Sequence, residues 1–273
     1  MTVELRVGCS SWTSEAWWGK VYPPGIPDAE RLRYYAHRFD TVEVDSTYYR
    51  PPAPFVVRAW RSKTPDAFLF TLKMTRDYLD PKRPVDREKL AAFTDTAKLL
   101  GPKLGPILLQ FPPWVKPGRA SEWLRSLWDA LDPTLRYSVE LRDAGWFRDD
   151  AKGPLLQDLS TRGIALTWSY LTYVEVPPDV TTDFVYLRFI GDHTSVPAET
   201  HGEIRVDRTA EMRRWADRLK SRLSELRAAY VYFNNHFAGF APSSVSRFRE
   251  EMGLPSARPE DEVLQGRLDV DGR

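Results

Sequence analysis

Thr41-Val42-Glu43-Val44-Asp45 alternates strictly, with β-branched valines on one face and a hydroxyl or carboxylate on the other. A period of two over five residues predicts a strand with one face buried against apolar neighbours. The residues before it keep a different period. Leu32, Tyr35, Ala36 and Phe39 recur at i, i+3, i+4 and i+7, with Asp28 ahead of them as a candidate helix cap. Working outward, the same helix-then-strand unit returns along the chain. Strands are expected near Leu5–Cys9, Thr41–Val44, Phe68–Lys73, Pro106–Phe111, Arg136–Glu140, Ile164–Thr167, Phe184–Phe189 and Ala229–Phe233. Helical faces are read at Leu90/Phe93/Ala97/Leu100 after Asp86, at Leu124/Leu127/Trp128/Leu131, at Leu155/Leu156/Leu159 before Gly163, and at Val245/Phe248/Met252 before Gly253. Strands alternating with helices predict an α/β fold, a TIM (β/α)8 barrel, with a doubly wound open sheet as the alternative. Leu171–Asp183 carries Pro177-Pro178 and no helical period, so the sixth helix is expected to be short or replaced by a loop. One barrel domain is expected over 1–253, followed by a polar C-terminal tail over 254–273.

Composition narrows the function. The chain has 273 residues, 42% of them hydrophobic, and a formal net charge of +1. Charge balance gives no general attraction to nucleic acid or acidic membranes. The single cysteine, Cys9, excludes an internal disulfide and any zinc cage of several cysteines. No apolar run approaches the roughly 18 residues of a membrane span, and Met1–Val7 lacks a signal-peptide pattern, so a cytoplasmic location without a membrane partner is expected. Asp207–Arg227 carries seven Lys/Arg against four Asp/Glu at helical spacing and reads as a solvated outer helix face.

In a barrel, strand residues alternate between the axis and the helices. If the apolar residues face the helices, then Glu43, Lys73, Glu140 and Arg188 point inward, joined by Asp45 and Arg142 at strand ends. All fall late in their strands, at the end where barrel enzymes hold their sites. Glu43, Glu140 and Lys73 are therefore the candidate catalytic groups. The competing interpretation is a structural network plugging the barrel mouth, because buried charges must pair.

Aromatic residues gather at the same end. Of ten tryptophans, Trp12, Trp17, Trp18, Trp114, Trp146 and Trp168 fall at strand ends or in the loops after them, as do Tyr22, Tyr48, Tyr49 and Tyr170. Flat rings beside carboxylates suit sugars or nucleobases, although they also suit a sealed barrel top. Trp12, Trp18, Tyr22, Tyr49 and Trp146 are taken as candidate ligand contacts. Gln110, Asn234, Asn235 and His236 close the fourth and eighth strands and can orient a polar substrate. No HExxH or close His/Asp triplet is present, and no metal or other cofactor is expected; a magnesium-type cation at Glu43, Asp45 and Glu140 is the weaker alternative. Gly8 is not followed by P-loop spacing, and Cys9 has no base beside it in sequence.

Several of these strand ends carry a family likeness. Val7-Gly8-Cys9-Ser10-Ser11-Trp12, Trp18-Gly19-Lys20-Val21-Tyr22-Pro23, Phe39–Tyr49, Phe68–Lys73, Leu108–Pro113, Val139-Glu140-Leu141-Arg142 with Trp146, Tyr186-Leu187-Arg188 and Tyr232-Phe233-Asn234-Asn235-His236 together resemble the domain-of-unknown-function 72, YecE-like family. The resemblance covers about residues 5–253 and implies a TIM barrel with a polar rim, without a settled reaction. Through kinship with endonuclease-IV-like barrels it also brings in nucleic-acid chemistry, by analogy of fold alone. Ile190 and Asp143 stand where the family commonly has histidines, which counts against imidazole-held metal at those two places.

The leading expectation is an enzyme of hydrolase or lyase type acting on a polar, anionic small molecule such as a sugar phosphate or nucleotide fragment. Arg188, Arg142 and Lys73 would hold the anion, because guanidinium forks match phosphate geometry. One of Glu43 and Glu140 would act as acid or base. The alternatives are a metal-free glycoside hydrolase using Glu43 and Glu140, a non-catalytic nucleic-acid-binding protein, and a scaffold whose mouth is filled by its own side chains. A carboxylate locked in an arginine pair would remove the glycosidase. The sequence leaves the oligomeric state open.

Overall fold

A computed structural model of the chain describes residues 3–174 and 176–255. Eight parallel strands, β1 Glu4–Cys9, β2 Thr41–Val44, β3 Leu69–Lys73, β4 Leu104–Gln110, β5 Tyr137–Glu140, β6 Ile164–Leu171, β7 Phe184–Gly191 and β8 Ala228–Phe233, pair in sequence order and close β8 onto β1. The outer ring is α1 Asp28–Arg38, α2 Pro54–Ser62, α3 Arg87–Ala97, α4 Arg119–Trp128, α5 Asp149–Arg162, α6 Thr209–Lys220, the one-turn α7 Asn235–Ala238 and α8 Ala241–Glu251. The closed sheet is a TIM barrel and replaces the open-sheet alternative. Between β6 and β7 the described residues contain no helix, as the two prolines predict. No helix among the described residues is long and apolar enough to cross a membrane. Of the tail expected from residue 254, the part from 256 onward lies outside the described residues.

Local chemistry explains the boundaries. Asp86 caps α3, its Oδ1 accepting from Lys89 N at 3.0 Å. Asp28 is the first residue of α1 instead of its cap, and it pairs with Arg31 one turn on. Helix α2 was not among the helical faces read above; it starts at Pro54, whose fixed φ suits a first turn. Its C-terminal end rests on a buried lysine. Lys103 Nζ donates to Arg61 O at 2.8 Å, Thr64 O at 2.6 Å and Thr64 Oγ1 at 3.3 Å, supplying protons to carbonyls at and just beyond the helix end. Lys103→Met should therefore cost about 1–3 kcal/mol, since it leaves buried carbonyls without donors. Urea unfolding checks this; an unchanged midpoint would mean water replaces the ammonium.

The barrel axis is filled in tiers. Near the β-strand starts, Arg136 donates to Tyr230 Oη at 3.2 Å and lies over the Phe184 ring. In the middle, hydroxyls pair across strands: Thr41 with Tyr232 at 2.7 Å, Thr71 with Tyr186 at 2.9 Å, Ser138 with Thr167 at 2.6 Å. Above them the charged tier begins. The valines and phenylalanines of alternate positions face the helices instead and form the main apolar core.

Candidate functional site

The charged tier is organised by one side chain. Arg188, on β7, is 1% exposed and lies across the barrel axis. It grips Glu43 of β2 side-on, with Nε to Oε2 at 2.8 Å and Nη2 to Oε1 at 2.7 Å. Its Nη1 donates to Glu140 Oε2 of β5 at 2.5 Å and to Gln110 Oε1 of β4 at 3.1 Å. Four of its five N–H groups are thus used within the protein. Tyr186 donates its hydroxyl to Glu43 Oε2 at 2.7 Å, and Ser169 donates to Glu140 Oε2 at 3.1 Å. Arg142, just past β5, takes the remaining oxygen, Glu140 Oε1, through its Nε. Both glutamates are fully buried.

A second, more open pair sits beside this core. Lys73 of β3 donates to Asp45 Oδ1 at 2.7 Å and lies over the Tyr48 ring at 4.4 Å. Thr47 fixes the turn after β2 against β3, accepting from Lys73 N and donating to Lys73 O. Asp45 retains a third of its side-chain exposure and Arg142 about a fifth (33% and 18%). Across the tier, Glu43, Asp45 and Glu140 balance Lys73, Arg142 and Arg188. Arg188, Glu43, Glu140 and also Lys73 are sealed, and Asp45 and Arg142 are the members that face the mouth.

This arrangement redirects the expected chemistry. Burial alone would raise the Glu140 carboxyl, but the charges of Arg142 and Arg188 outweigh it and hold the group at about 2. Such a carboxylate stays ionised and is a poor proton donor at neutral pH. With both Glu43 and Glu140 held by the same guanidinium, the two-carboxylate glycosidase has neither a free acid nor a free nucleophile. Arg188, expected to hold an anion, spends its donors on the two glutamates and on Gln110. A hard cation at Glu43, Asp45 and Glu140 would have to displace ammonium or guanidinium partners from every one of them. Among the described residues, no group of three or more His, Cys, Asp or Glu is arranged to hold a metal. Cys9 is buried, facing the helices; burial raises its thiol far above the ordinary range, so it stays protonated.

The remaining expected contacts divide between packing and the mouth. Tyr22 is buried and donates to Trp12 O at 2.5 Å. Trp12 packs edge-on against Trp60, and Trp18 lies under the Arg31 guanidinium. Trp146 is buried and donates to Val115 O at 2.8 Å. Tyr22 and Trp146 are therefore packing groups, because their rings are enclosed and their polar atoms satisfied inside the fold. Asn235 is a bracket: its Oδ1 accepts from Trp17 Nε1 and Ala241 N, and its Nδ2 donates to Ser14 Oγ. Asn234 caps α7 by accepting from His236 N. Tyr49 is 66% exposed, with Arg76 over its ring.

Sequence reasoning missed other members. Ser169 lay beyond the expected end of β6, although Thr167 and Ser169 continue the inward alternation. Among the described residues, the exposed large apolar or aromatic side chains, Tyr49, Phe55, Trp114 and Tyr173, lie in the connections after β2, β4 and β6 or at the start of α2, all at the mouth end. Lys82 lies over Trp114, and Tyr173 neighbours Arg142. The loop after β7 brings His193 and His201 onto His236. No local pattern announces that meeting.

Comparison with known proteins places the chain among relatives of the same architecture. The family model described as "Protein of unknown function DUF72" matches residues 6–266. UPF0759 protein YecE of Escherichia coli (strain K12) is 30% identical over 166 residues, covering 59% of this chain and 57% of that protein. The chain thus aligns with little more than half the length of this curated relative. UPF0759 protein YunF of Bacillus subtilis (strain 168) is 32% identical over 117 residues, 40% of either chain. Among solved structures, a DUF72 family protein from Thermotoga maritima superposes with a TM-score of 0.77 at 25% identity, covering 92% of this chain and 99% of that one. A D-psicose 3-epimerase shares the fold alone, with a TM-score of 0.50 at 12% identity over 98% of this chain and 100% of that one.

Proposed function

This chain belongs to the DUF72 family, and from that premise we propose that its barrel mouth binds and transforms a polar, anionic small molecule, as a hydrolase or lyase. One observation carries the reading: charged side chains on or just after β2, β3, β5 and β7 converge at the C-terminal end of one barrel, where enzymes of this fold work. Arg188 is the keystone that holds Glu43 and Glu140 in place. Arg142 is the cation that meets the ligand, exchanging part of its hold on Glu140 for a phosphate or carboxylate, while Lys73, buried in its pair with Asp45, adds its charge. Tyr49 and Trp114, exposed and each beside a cation, favour a ligand with a flat ring, such as a nucleotide fragment, over a bare sugar phosphate.

A second reading, a mouth plugged by its own side chains, is favoured by the engagement of Arg188. Thermal-shift measurements on wild type and Arg142→Ala separate the two, using sugar phosphates, nucleotides, neutral sugars and short oligonucleotides. A ligand at 100 times its dissociation constant stabilises by about 2.7 kcal/mol. The expected result is stabilisation of wild type by a phosphorylated compound and loss of that shift in Arg142→Ala. Stabilisation by oligonucleotides alone, falling steeply with salt, would point to the nucleic-acid alternative. If no compound moves either protein, the plug reading stands.

A further inference from the structure

We propose that His193, on the loop leaving β7, is the proton acceptor of the mouth, working beside Arg142 and seated on His236; this rests on the ligand-site reading above. The carboxylates of the tier are each matched to a cation, so the base that a hydrolase or lyase needs must come from another group. The imidazoles answer that need. His193 is exposed, its ring centroid 3.7 Å from that of His236, which in turn lies 4.5 Å from that of His201. His236 Nδ1 is 2.7 Å from Val196 O. A carbonyl only accepts, so that nitrogen carries a proton.

The cluster is held by backbone approaches that exclude side chains. Gly191 has φ +71°, and a Cβ there would sit 2.1 Å from His236 O. Gly239 has φ +107°, and a Cβ there would sit 2.1 Å from Glu203 O. Loop and α7 are thereby clamped together, which fixes the imidazoles relative to the strand ends.

The groups facing His193 come from three elements. His236 belongs to α7, Asp192 to the loop itself, and Arg142, just past β5, is near enough for its charge to be felt there. Asp192 is occupied by Ser195 N at 2.6 Å and by Arg208 at 3.7 Å. Partial burial, then His236, and lastly Arg142 lower the affinity of His193 for a proton, while Asp192 opposes them. The net direction leaves His193 a free base at neutral pH. Its task would be to take a proton from water or a substrate hydroxyl beside the anion held by Arg142. That oxygen keeps the electron pair and forms a bond to the phosphorus or carbonyl carbon of the ligand, the bond from that atom to the departing oxygen breaks with its electrons on the oxygen, and the proton is returned there. No co-reactant is needed.

Sulfate is a suitable probe, since its own charge is constant between pH 5.5 and 7.5. Histidine side-chain NMR would be followed with and without sulfate in wild type, His193→Gln, His201→Gln and Arg142→Ala. Bound sulfate should raise the midpoint of His193, and by reciprocity sulfate should bind about fivefold tighter at pH 5.5 than at 7.5. That gain should vanish in His193→Gln and persist in His201→Gln. Sulfate binding with an unmoved His193 midpoint, or an equal pH gain in His193→Gln, overturns the proposal while sparing the ligand site. Failure of wild type to bind sulfate, or equal binding by Arg142→Ala, removes the ligand-site reading and this proposal together.

Discussion

Arg188→Ala is expected to destabilise the protein by about 3–5 kcal/mol, the range for breaking a buried ion pair from one side. The reason is what stays behind. Glu43 and Glu140 are fully buried, and without the guanidinium Glu43 keeps only the Tyr186 hydroxyl among the partners described above, while Glu140 keeps Arg142 and Ser169. Two carboxylates facing each other across the barrel axis would have to take up protons or admit water, and either costs free energy. Chemical denaturation at neutral pH measures the loss. Replacing Arg188, Glu43 and Glu140 together by Met, Leu and Leu should recover most of it, because apolar groups of similar volume avoid desolvating any charge. A drop under about 1 kcal/mol in the single variant would mean that the tier is hydrated, in the manner of a surface pair.

Acid sensitivity should be concentrated in Glu140. Its folded-state carboxyl lies at about 2, against an ordinary 4.5, so on acidification the unfolded chain binds the proton first. The resulting stabilisation, of order 3 kcal/mol, is complete above about pH 4.5 and is lost as pH falls from there toward 2. Glu140→Gln should be less stable at neutral pH and should flatten the slope of stability between pH 5 and 3, read from unfolding free energies at fixed pH steps. Asp132 is likewise held at about 2 by Lys98 and Thr134, but it is a surface group, and solvent screening should leave Asp132→Asn with a small effect. If the slope is unchanged in Glu140→Gln, the acid transition belongs to other carboxylates and the strength assigned to the Arg142–Glu140–Arg188 contacts is wrong.

Both predictions depend on a tier whose members were legible from alternation and whose pairing was not. Glu43, Lys73, Glu140 and Arg188 stand where the period of two puts them. What went unread was reach. Arg188 on β7 is long enough to cross to β2 and β5, so residues separated by 145 and 48 positions share one guanidinium. The aromatic positions divided for a related reason. A strand-end ring can turn outward to the mouth, as Tyr49 does, or bury itself against a neighbouring loop, as Trp146 does on Val115, and sequence position is the same for either. His193 and His201 carried no signal, since the glycines that press their loop onto α7, one at the end of β7 and one after α7, lie far apart in the sequence.

The sequence by itself determined the alternation of strands and helices and which strand residues share the inward face, because these follow from hydrophobic period and helix caps, while the closing of β8 onto β1 was seen only in the fold. Only the tertiary structure decided which charges neutralise one another and which remain open to a ligand. That choice depends on side-chain length, on distances across a closed barrel and on the dielectric inside it, none of which is encoded in the spacing of residues along the chain.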